Sequence, residues 1–278
     1  MTPNPPLDPA QLRDLLQFYA DAGVDEALED EPQNRFAEAP PKPAQPKPAP
    51  SGKAPEQPAK ASAPAAQPPS AAVPDEAQAA RARELARQAD SLEALREILA
   101  DFDGCNLRHT AKNLVFADGN PEAEVMFVGE APGRDEDLQG LPFVGRSGRL
   151  LDRMLAAIGR DRTSAYISNV IPWRPPGNRD PSPLETEICR PFIERHIELA
   201  APKVLVTLGN PSTKLLLHTK TGIMRMRGKW SVHTTPGGAE IATMPTLHPA
   251  YLLRNPAHKK LAWRDFLEIK KKLGEVNG

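Results

Sequence analysis

VMFVGEAPG, residues 125–133, joins a short apolar run to a loop of glycine, proline and glutamate. The apolar part, Val125–Val128, predicts a buried strand, and the loop predicts a sharp turn where that strand ends. In α/β enzymes, loops at the carboxyl edge of the sheet carry the reactive groups. A second stretch, PFVG at residues 142–145, adds the aromatic side chain of Phe143 to the same loop. Together these stretches favour a rigid pocket with a flat stacking surface over a phosphate cradle.

Strand and helix patterns alternate on both sides of this loop. Strands are predicted at Val125–Val128, Ala165–Val170, Lys203–Leu208 and Ile241–Thr246. Helices are predicted at Pro74–Asp101, Gly148–Ile158, Pro183–Ala200, Pro211–Leu217 and Lys259–Leu273. This order is typical of a three-layer α/β/α domain with a mostly parallel central sheet.

The first 74 residues have a different composition. Residues 1–31 predict a short helix at about residues 8–30, either a docking segment for a protein partner or a helix of marginal stability. Residues 32–74 hold 13 prolines among 43 positions. Such a segment buries too little apolar surface to offset its ordering entropy, so we expect a disordered Pro/Ala-rich linker. The folded domain is predicted at residues 75–278.

Charge and cysteine content limit the class of protein. The net charge is −6 over residues 1–80 and +5 over residues 81–278, with histidine neutral. A mildly basic folded part permits nucleic-acid binding, although an ordinary solvated surface has the same balance. Two cysteines make no disulfide framework, and no run of about 18 apolar residues predicts a membrane span. Since the N-terminus also lacks a secretory signal pattern, we expect a cytoplasmic protein with no membrane partner.

Three polar side chains lie at or just beyond the ends of predicted strands: Glu130, Asn169 and His248. Because parallel strands end at one edge of a sheet, we expect them to converge on one crevice. Phe143 would offer a stacking face, and the Asn169 amide matches the paired N–H and C=O of a pyrimidine edge. His248 would donate to a carbonyl oxygen and stabilise charge on a departing base. Glu130 or the acidic cluster at residues 135–137 would orient water or stabilise a cationic sugar.

Each of these residues also has an ordinary structural explanation. Asn169 would cap the following loop, His248 would be a buried imidazole, and Phe143 would belong to the core. The acidic cluster would be a solvated turn. Their joint placement at strand ends favours a functional site.

Three further segments suit a polyanion: residues 174–179 (RPPGNR), 224–230 (MRMRGKW) and 248–254 (HPAYLLR). Arginine and lysine would neutralise phosphates, and an apolar side chain would wedge into the gap left by an extruded base. Surface loops with ordinary salt bridges are the alternative. The candidate DNA-binding residues are Arg174, Arg179, Arg227, Lys229, Tyr251, Leu252, Leu253 and Arg254.

These stretches together resemble the family 4 uracil-DNA glycosylases over roughly residues 100–275. The resemblance is carried by residues 129–133 (GEAPG), 140–145 (GLPFVG), Asn169, 174–179, 227–230 (RGKW) and 248–254. It implies that the chain flips deoxyuridine out of DNA and hydrolyses its N-glycosidic bond. Free uracil and an abasic site would result, which starts base excision repair.

The resemblance also implies roles for single residues. Phe143 would stack on uracil, Asn169 would read its edge, and His248 would donate to a uracil oxygen. The first motif, with Ala131 and Gly133, would line the substrate pocket.

Ala131 stands where better-known uracil-DNA glycosylases carry a water-activating aspartate. We therefore expect a dissociative mechanism that depends mainly on leaving-group stabilisation. Water would be positioned by Glu130, Glu136 or a backbone carbonyl.

One departure from the family concerns its 4Fe-4S cluster, which four cysteines typically hold. Cys105 and Cys189 match the second and fourth of these positions, but Phe102 and Trp173 stand at the first and third. Two thiolates do not complete the usual ligand set. We expect no cofactor, with the two aromatic side chains as an apolar plug in place of the cluster.

Alternatives remain open at this point. A mixed site that adds His109 and His196 to the cysteines is the alternative to a metal-free core. A non-catalytic DNA-binding relative is the alternative to an active enzyme. A nucleotide hydrolase lacks support because the chain has no glycine-rich, lysine-bearing phosphate loop. We expect a monomer whose partner is uracil-containing DNA.

Overall fold

The computed structural model describes residues 75–276 of the chain, so the predictions for residues 1–31 and 32–74 lie outside the described residues. The helices are α1 (Asp75–Gln88), α2 (Leu92–Asp101), α3 (Leu107–Thr110), α4 (Arg134–Gln139), α5 (Arg146–Ala157), α6 (Pro183–Ala200), α7 (Asn210–Leu216), α8 (Ile223–Met226), α9 (Pro249–Arg254) and α10 (Lys259–Val276). The strands are β1 (Ala117–Gly119), β2 (Val125–Gly129), β3 (Tyr166–Asn169), β4 (Val204–Leu208), β5 (Ser231–Thr234) and β6 (Glu240–Thr246).

The six described strands form one sheet in the order β1-β3-β2-β4-β6-β5. Strands β3, β2, β4 and β6 are parallel, and the edge strands β1 and β5 are antiparallel to their neighbours. Every residue of β2 and β4 is buried, as expected of central parallel strands covered on both faces. The predicted mostly parallel sheet is confirmed.

Two apolar cores lie on opposite faces of the sheet. Met126 and Val128 pack into one core with side chains of α1, α2 and α6. Val125 and Phe127 pack into the other core with side chains of α5 and α10. Because successive side chains of a strand point to opposite faces, this alternation confirms the three-layer α/β/α arrangement.

Local capping explains why one helix begins where its sequence predicts. The Ser182 hydroxyl accepts from the Glu185 amide at 3.2 Å, and the Glu185 carboxylate accepts from the Ser182 amide at 2.7 Å. Pro183 occupies the first helical turn, where its missing N–H costs nothing. Helix α6 therefore has the predicted bounds.

Other boundaries differ from the predictions. The helix predicted at Pro74–Asp101 is two helices, because Ser91 caps a new one by accepting from the Ala94 amide at 3.1 Å. The short edge strands β1 and β5 and the short helix α9 were not predicted. A three-residue strand such as β1, with sequence ADG, has no apolar alternation that would reveal it.

Strand register brings the ends of β2, β3, β4 and β6 to one edge. Gly129 pairs with Asn169, and Leu208 pairs with Thr246. The loops that follow β2, β3 and β6 therefore leave the sheet side by side.

Candidate active site

A cavity of about 530 Å³ lies at this carboxyl edge. Glu130, Phe143, Asn169 and His248 all line it, so the predicted convergence of strand-end residues is present in the structure. Other predicted site residues on its wall are Ala131, Gly133, Glu136, Arg179, Tyr251 and Arg254. Wall residues that sequence reasoning did not single out include Ser147, Asp180, Asn210 and Ile223.

Gly129 allows the aromatic ring and the amide to meet over the end of β2. A Cβ added at Gly129 would overlap both Asn169 Oδ1 and Phe143 Cζ. Only a residue without a side chain fits there. The first glycine of the GEAPG motif was the available signal for this role.

Asn169 carries a buried polar atom without a protein partner. The residue is 5% exposed, and its Oδ1 has no hydrogen bond among the described residues. An unsatisfied buried acceptor costs about 1–3 kcal/mol, and such groups call for an explanation. A ligand N–H entering the cavity would satisfy this oxygen.

His248 is fixed in one tautomer by its own helix. Its Nδ1 accepts from the Ala250 amide at 3.1 Å, which caps α9. Burial, with a smaller contribution from the Arg254 charge, lowers the pKa of His248 to about 4. The imidazole is therefore neutral at physiological pH, and its single N–H is on Nε2.

Glu130 is a half-buried carboxyl group at the cavity wall. Burial raises the pKa of Glu130, and the nearby Asp180 carboxylate raises it further. A raised pKa suits a group that takes up a proton near working pH.

Glu136 has a different role from the water-positioning one that its sequence suggested. Its carboxylate accepts from the amides of Gly133, Val144 and Gly145, each at 3.1 Å. These bonds hold the two ends of the loop together. Glu136 lines the cavity wall, yet its oxygens are occupied by backbone amides.

Two residues of the acidic cluster are structural. One is Glu136, and the other is Asp137. Asp137 is 3% exposed and accepts from the amides of Lys112 and Asn113 at 2.7 and 3.2 Å. A carboxylate that binds backbone amides ties segments together. The expectation of a water-orienting cluster is therefore corrected for these two residues.

The rim of the cavity carries part of the predicted basic surface. Arg179 forms two hydrogen bonds to the Glu185 carboxylate at 2.6 and 2.9 Å while its side chain stays 47% exposed. Arg174 Nε donates to Asn178 Oδ1 at 2.6 Å. Lys229 and Arg254 are exposed. Of these cations, Arg179 and Arg254 line the cavity.

Arg227 is not available to phosphates. Its guanidinium pairs with Asp265, which is 1% exposed, and also donates to the Leu261 carbonyl at 2.8 Å. Thr246 donates to the same carboxylate at 2.7 Å. Arg227 thus anchors the 222–229 segment against the end of β6, two residues before His248.

The prediction that Leu252 binds DNA is also corrected, because the residue is 1% exposed and packs with Leu247 and Ala262. A side chain inside a core cannot insert between bases. Tyr251 and Leu253 are half-buried and remain candidates for the wedge. Tyr251 shares a hydrogen bond of 2.7 Å with the His258 ring.

The positions matching the family's cluster cysteines lie in one apolar core. Phe102 and Trp173 are 1% and 2% exposed, and Cys105 and Cys189 are fully buried beside them with their Sγ atoms 4.0 Å apart. Phe102 also packs edge-on against Phe192 at 5.0 Å between ring centroids. Within residues 75–276, no group of three or more His, Cys, Asp or Glu side chains is placed to hold a metal.

The histidines of the proposed mixed site have other environments. His196 shares a hydrogen bond of 2.8 Å with the Tyr166 hydroxyl and stacks on Phe116 at 4.3 Å. Burial lowers its pKa to about 3. His109 is exposed on the surface. Neither histidine forms a described site with the two cysteines.

Comparison with known proteins agrees with this geometry. The sequence profile of the Uracil DNA glycosylase superfamily matches residues 116–267. The Type-4 uracil-DNA glycosylase of Sulfurisphaera tokodaii is 42% identical over 190 residues, which cover 65% of this chain and 84% of the relative. The enzyme of the same name from Archaeoglobus fulgidus is 40% identical over 194 residues, covering 67% and 95% respectively. That from Saccharolobus solfataricus is 38% identical over 192 residues, covering 66% and 87%.

Proposed function

The chain belongs to the uracil DNA glycosylase superfamily and to its type-4 enzymes, and on this premise we propose how its cavity excises uracil. It is a DNA-repair enzyme that hydrolyses the N-glycosidic bond of deoxyuridine in DNA. We assign the cavity at the carboxyl edge as the uracil pocket. The observation that carries this assignment is the amide oxygen of Asn169, which has no hydrogen-bond partner among residues 75–276 and lies beside the ring of Phe143.

Recognition follows from these two side chains. Asn169 presents an acceptor for the uracil N3–H and a donor for a neighbouring uracil carbonyl. Phe143 supplies the face on which the flipped base stacks. When the uracil N3–H donates to Asn169 Oδ1, this buried acceptor gains a hydrogen bond, and the cost of leaving it unsatisfied in the free enzyme is removed.

His248 stabilises the leaving base. The bond between C1′ and N1 breaks, its electron pair stays on the uracil, and negative charge spreads to the ring oxygens. Nε2–H of the neutral imidazole donates to one of these oxygens, and the hydrogen bond strengthens as charge develops. The low pKa of His248 keeps the ring in this form.

Glu130 serves the second half of the reaction. Its carboxylate stabilises the cationic sugar and accepts a proton from the water that attacks C1′. Glu136 positions the loop instead of the water. The other described carboxylates of the wall are Glu130 and Asp180, and we assign the role to Glu130, which directly follows β2.

The pH dependence tests Glu130. Because burial and Asp180 raise its pKa above the ordinary value of 4.5, the rate is expected to rise with pH as Glu130 ionises. His248 is already neutral across that range. Glu130→Gln should slow release by about a hundredfold and remove this acid limb, whereas the exposed Glu122→Gln should change neither. A Glu130→Gln variant with the wild-type rate and profile would exclude the carboxylate as base.

Enzyme activity itself is tested with the purified protein and an oligonucleotide that contains a single uracil. Release of free uracil, with none of thymine from a matched thymine oligonucleotide, supports the proposed function. Absence of release from folded protein would favour the non-catalytic DNA-binding relative.

DNA is held by cations around the pocket, of which Arg179, Lys229 and Arg254 are exposed and Arg174 is half-buried. We assign phosphate contacts to Arg174, Arg179, Lys229 and Arg254, and the wedge to Tyr251 or Leu253. Phosphate contacts of this kind weaken as salt rises. Arg227 and Leu252 stabilise the fold of this surface instead.

We also propose that the chain works without an iron–sulfur cluster. The donor set does not fit one, because only two thiols meet and buried aromatic side chains fill the remaining positions. The purified protein should therefore contain no iron, and iron chelators should leave uracil release unchanged.

The double variant Cys105→Ala with Cys189→Ala tests this proposal. It should keep its rate of uracil release and lose about 1–3 kcal/mol of unfolding free energy, because two buried side chains become smaller. Trp173→Ala should cost more, about 3–5 kcal/mol, because it leaves a larger cavity. Iron in the wild-type protein that disappears together with activity in the double variant would refute the proposal.

Three expectations rest on sequence alone and stay predictions: a protein partner for residues 8–30, a monomeric state and a cytoplasmic location. The structure adds one observation. Among the described residues, no helix is both long and apolar enough to cross a membrane.

A further inference from the structure

Phe143 has an unusual backbone conformation. Its φ is 55°, in the left-handed region that residues with a side chain rarely adopt. Such a conformation persists only where the surrounding structure holds it, and it is frequent at functional sites. Phe143 is also 4% exposed and lines the uracil pocket.

Arg162 binds the two peptide groups that flank this residue. Its guanidinium donates to the carbonyl of Phe143 and, at 3.2 Å, to the carbonyl of Pro142. Two carboxylates orient the guanidinium: Asp152 in α5, which accepts from Nε at 2.9 Å, and Asp118 in β1. The planar fork of donors spans these partners in a way that a single ammonium group does not.

The peptide group after Phe143 and the residues that follow it have further partners. The Glu136 carboxylate accepts from the amides of Val144 and Gly145 at 3.1 Å. Gly148 is packed so closely that an added Cβ would overlap the Phe143 carbonyl oxygen. Among the described contacts, Arg162 is the side chain that binds the carbonyls on both sides of Phe143.

We propose that Arg162 is a positioning residue for uracil recognition, acting on the base only through Phe143. Arg162 is not among the residues of the cavity wall, so it does not touch the base. By fixing the Phe143 carbonyl, it fixes the ring beside the Asn169 amide. This inference rests on the proposed uracil pocket.

Loss of the guanidinium fork releases the strained peptide. The ring then leaves the stacking position for part of the time, and affinity for uracil falls. Because base stacking on an aromatic side chain contributes about 1–3 kcal/mol, partial loss predicts an effect of about tenfold. The departing charge is stabilised elsewhere, by His248, so the chemical step should be less affected.

The test compares Arg162→Lys and Arg162→Ala with Arg160→Lys and Arg160→Ala. Arg160 is a matched control, because its side chain is equally exposed at 25% and pairs with Glu124 instead of the Phe143 loop. For each folded variant, kcat and KM are measured on a single-uracil oligonucleotide, together with inhibition by free uracil. Low millimolar guanidinium is added to Arg162→Ala, with methylammonium as the comparison cation.

Both Arg162 variants should raise KM and the inhibition constant of free uracil about tenfold, with a smaller fall in kcat. Guanidinium should partly restore Arg162→Ala, methylammonium should not, and the Arg160 variants should behave as wild type. Arg162→Lys keeps the charge and decides the question if Arg162→Ala does not fold.

The outcomes separate the two proposals. A wild-type protein that releases no uracil contradicts the proposed function. An active wild type whose folded Arg162 variants bind free uracil normally contradicts the positioning role. Equal losses in kcat and uracil affinity without guanidinium rescue would also overturn it, since they indicate general disruption.

Discussion

His248→Ala is expected to slow uracil release by about two to three orders of magnitude, as does the loss of one donor to a developing anion. The neutral imidazole is held ready for this role, because Nδ1 is occupied by the Ala250 amide and Nε2 carries the proton. A water molecule that fills the space left in His248→Ala would not have its O–H held in the direction of the uracil oxygen. The effect should appear mainly in kcat, since the hydrogen bond strengthens as the bond to the base breaks.

His248→Asn separates catalysis from stability. Asparagine is a good N-cap, so its side-chain oxygen can accept from the Ala250 amide, but it does not reproduce the Nε2 donor. Both variants should be slow, and only His248→Ala should lose about 1 kcal/mol of unfolding free energy. His109→Ala, at an exposed position, should match wild type. Activity of His248→Ala within about tenfold of wild type would remove the assigned role.

Asn169→Ala is expected to lower kcat/KM by about a hundredfold and to leave the protein as stable as wild type or more so. Two hydrogen bonds to the base are lost, and about 2–3 kcal/mol corresponds to this factor. In the free enzyme, however, the substitution also removes a buried acceptor that has no partner among the described residues. Few residues combine loss of function with unchanged or higher stability unless their role is in binding.

Asn120→Ala provides the opposite pattern. Asn120 Oδ1 accepts from the Glu122 amide at 3.0 Å in a turn outside the cavity. This variant should lose stability and keep activity. If thermal melts and kinetics show that Asn169→Ala instead behaves like Asn120→Ala, then Asn169 caps a loop and does not read uracil.

The apolar core at residues 102 and 173 has a consequence for the DNA-binding loop. Trp173 is buried directly before the segment 174–179, which contributes Arg179 to the cavity wall. In this chain, side-chain packing holds the start of that segment. A cluster bound by cysteines would do so through metal–thiolate bonds.

Much of the fold and of the pocket could be predicted from local patterns. Continuous apolar runs marked β2 and β4 as central strands, and helical periodicity marked α5 and α6. Since parallel strands end at one edge, residues directly after them had to meet. Glu130, Asn169 and His248 were found in this way.

The edge strands and several side-chain roles could not be predicted, because they depend on partners distant in sequence. The basic segment predicted a phosphate-binding role for Arg227, but its guanidinium pairs with Asp265, 38 residues later in the chain. The sequence predicted that Glu136 positions water, but its carboxylate accepts from the amides of Val144 and Gly145. Arg162 belongs to none of the sequence motifs, so its role could not be predicted.

The sequence by itself thus determined the layers, the positions of the central strands along the chain and the residues at their ends, because backbone periodicity is a local property. Only the tertiary structure decided which charged groups are free to bind DNA or act on the base. The role of a charged side chain depends on the neighbour that buries it or pairs with it. Folding brings that neighbour from a distant part of the sequence.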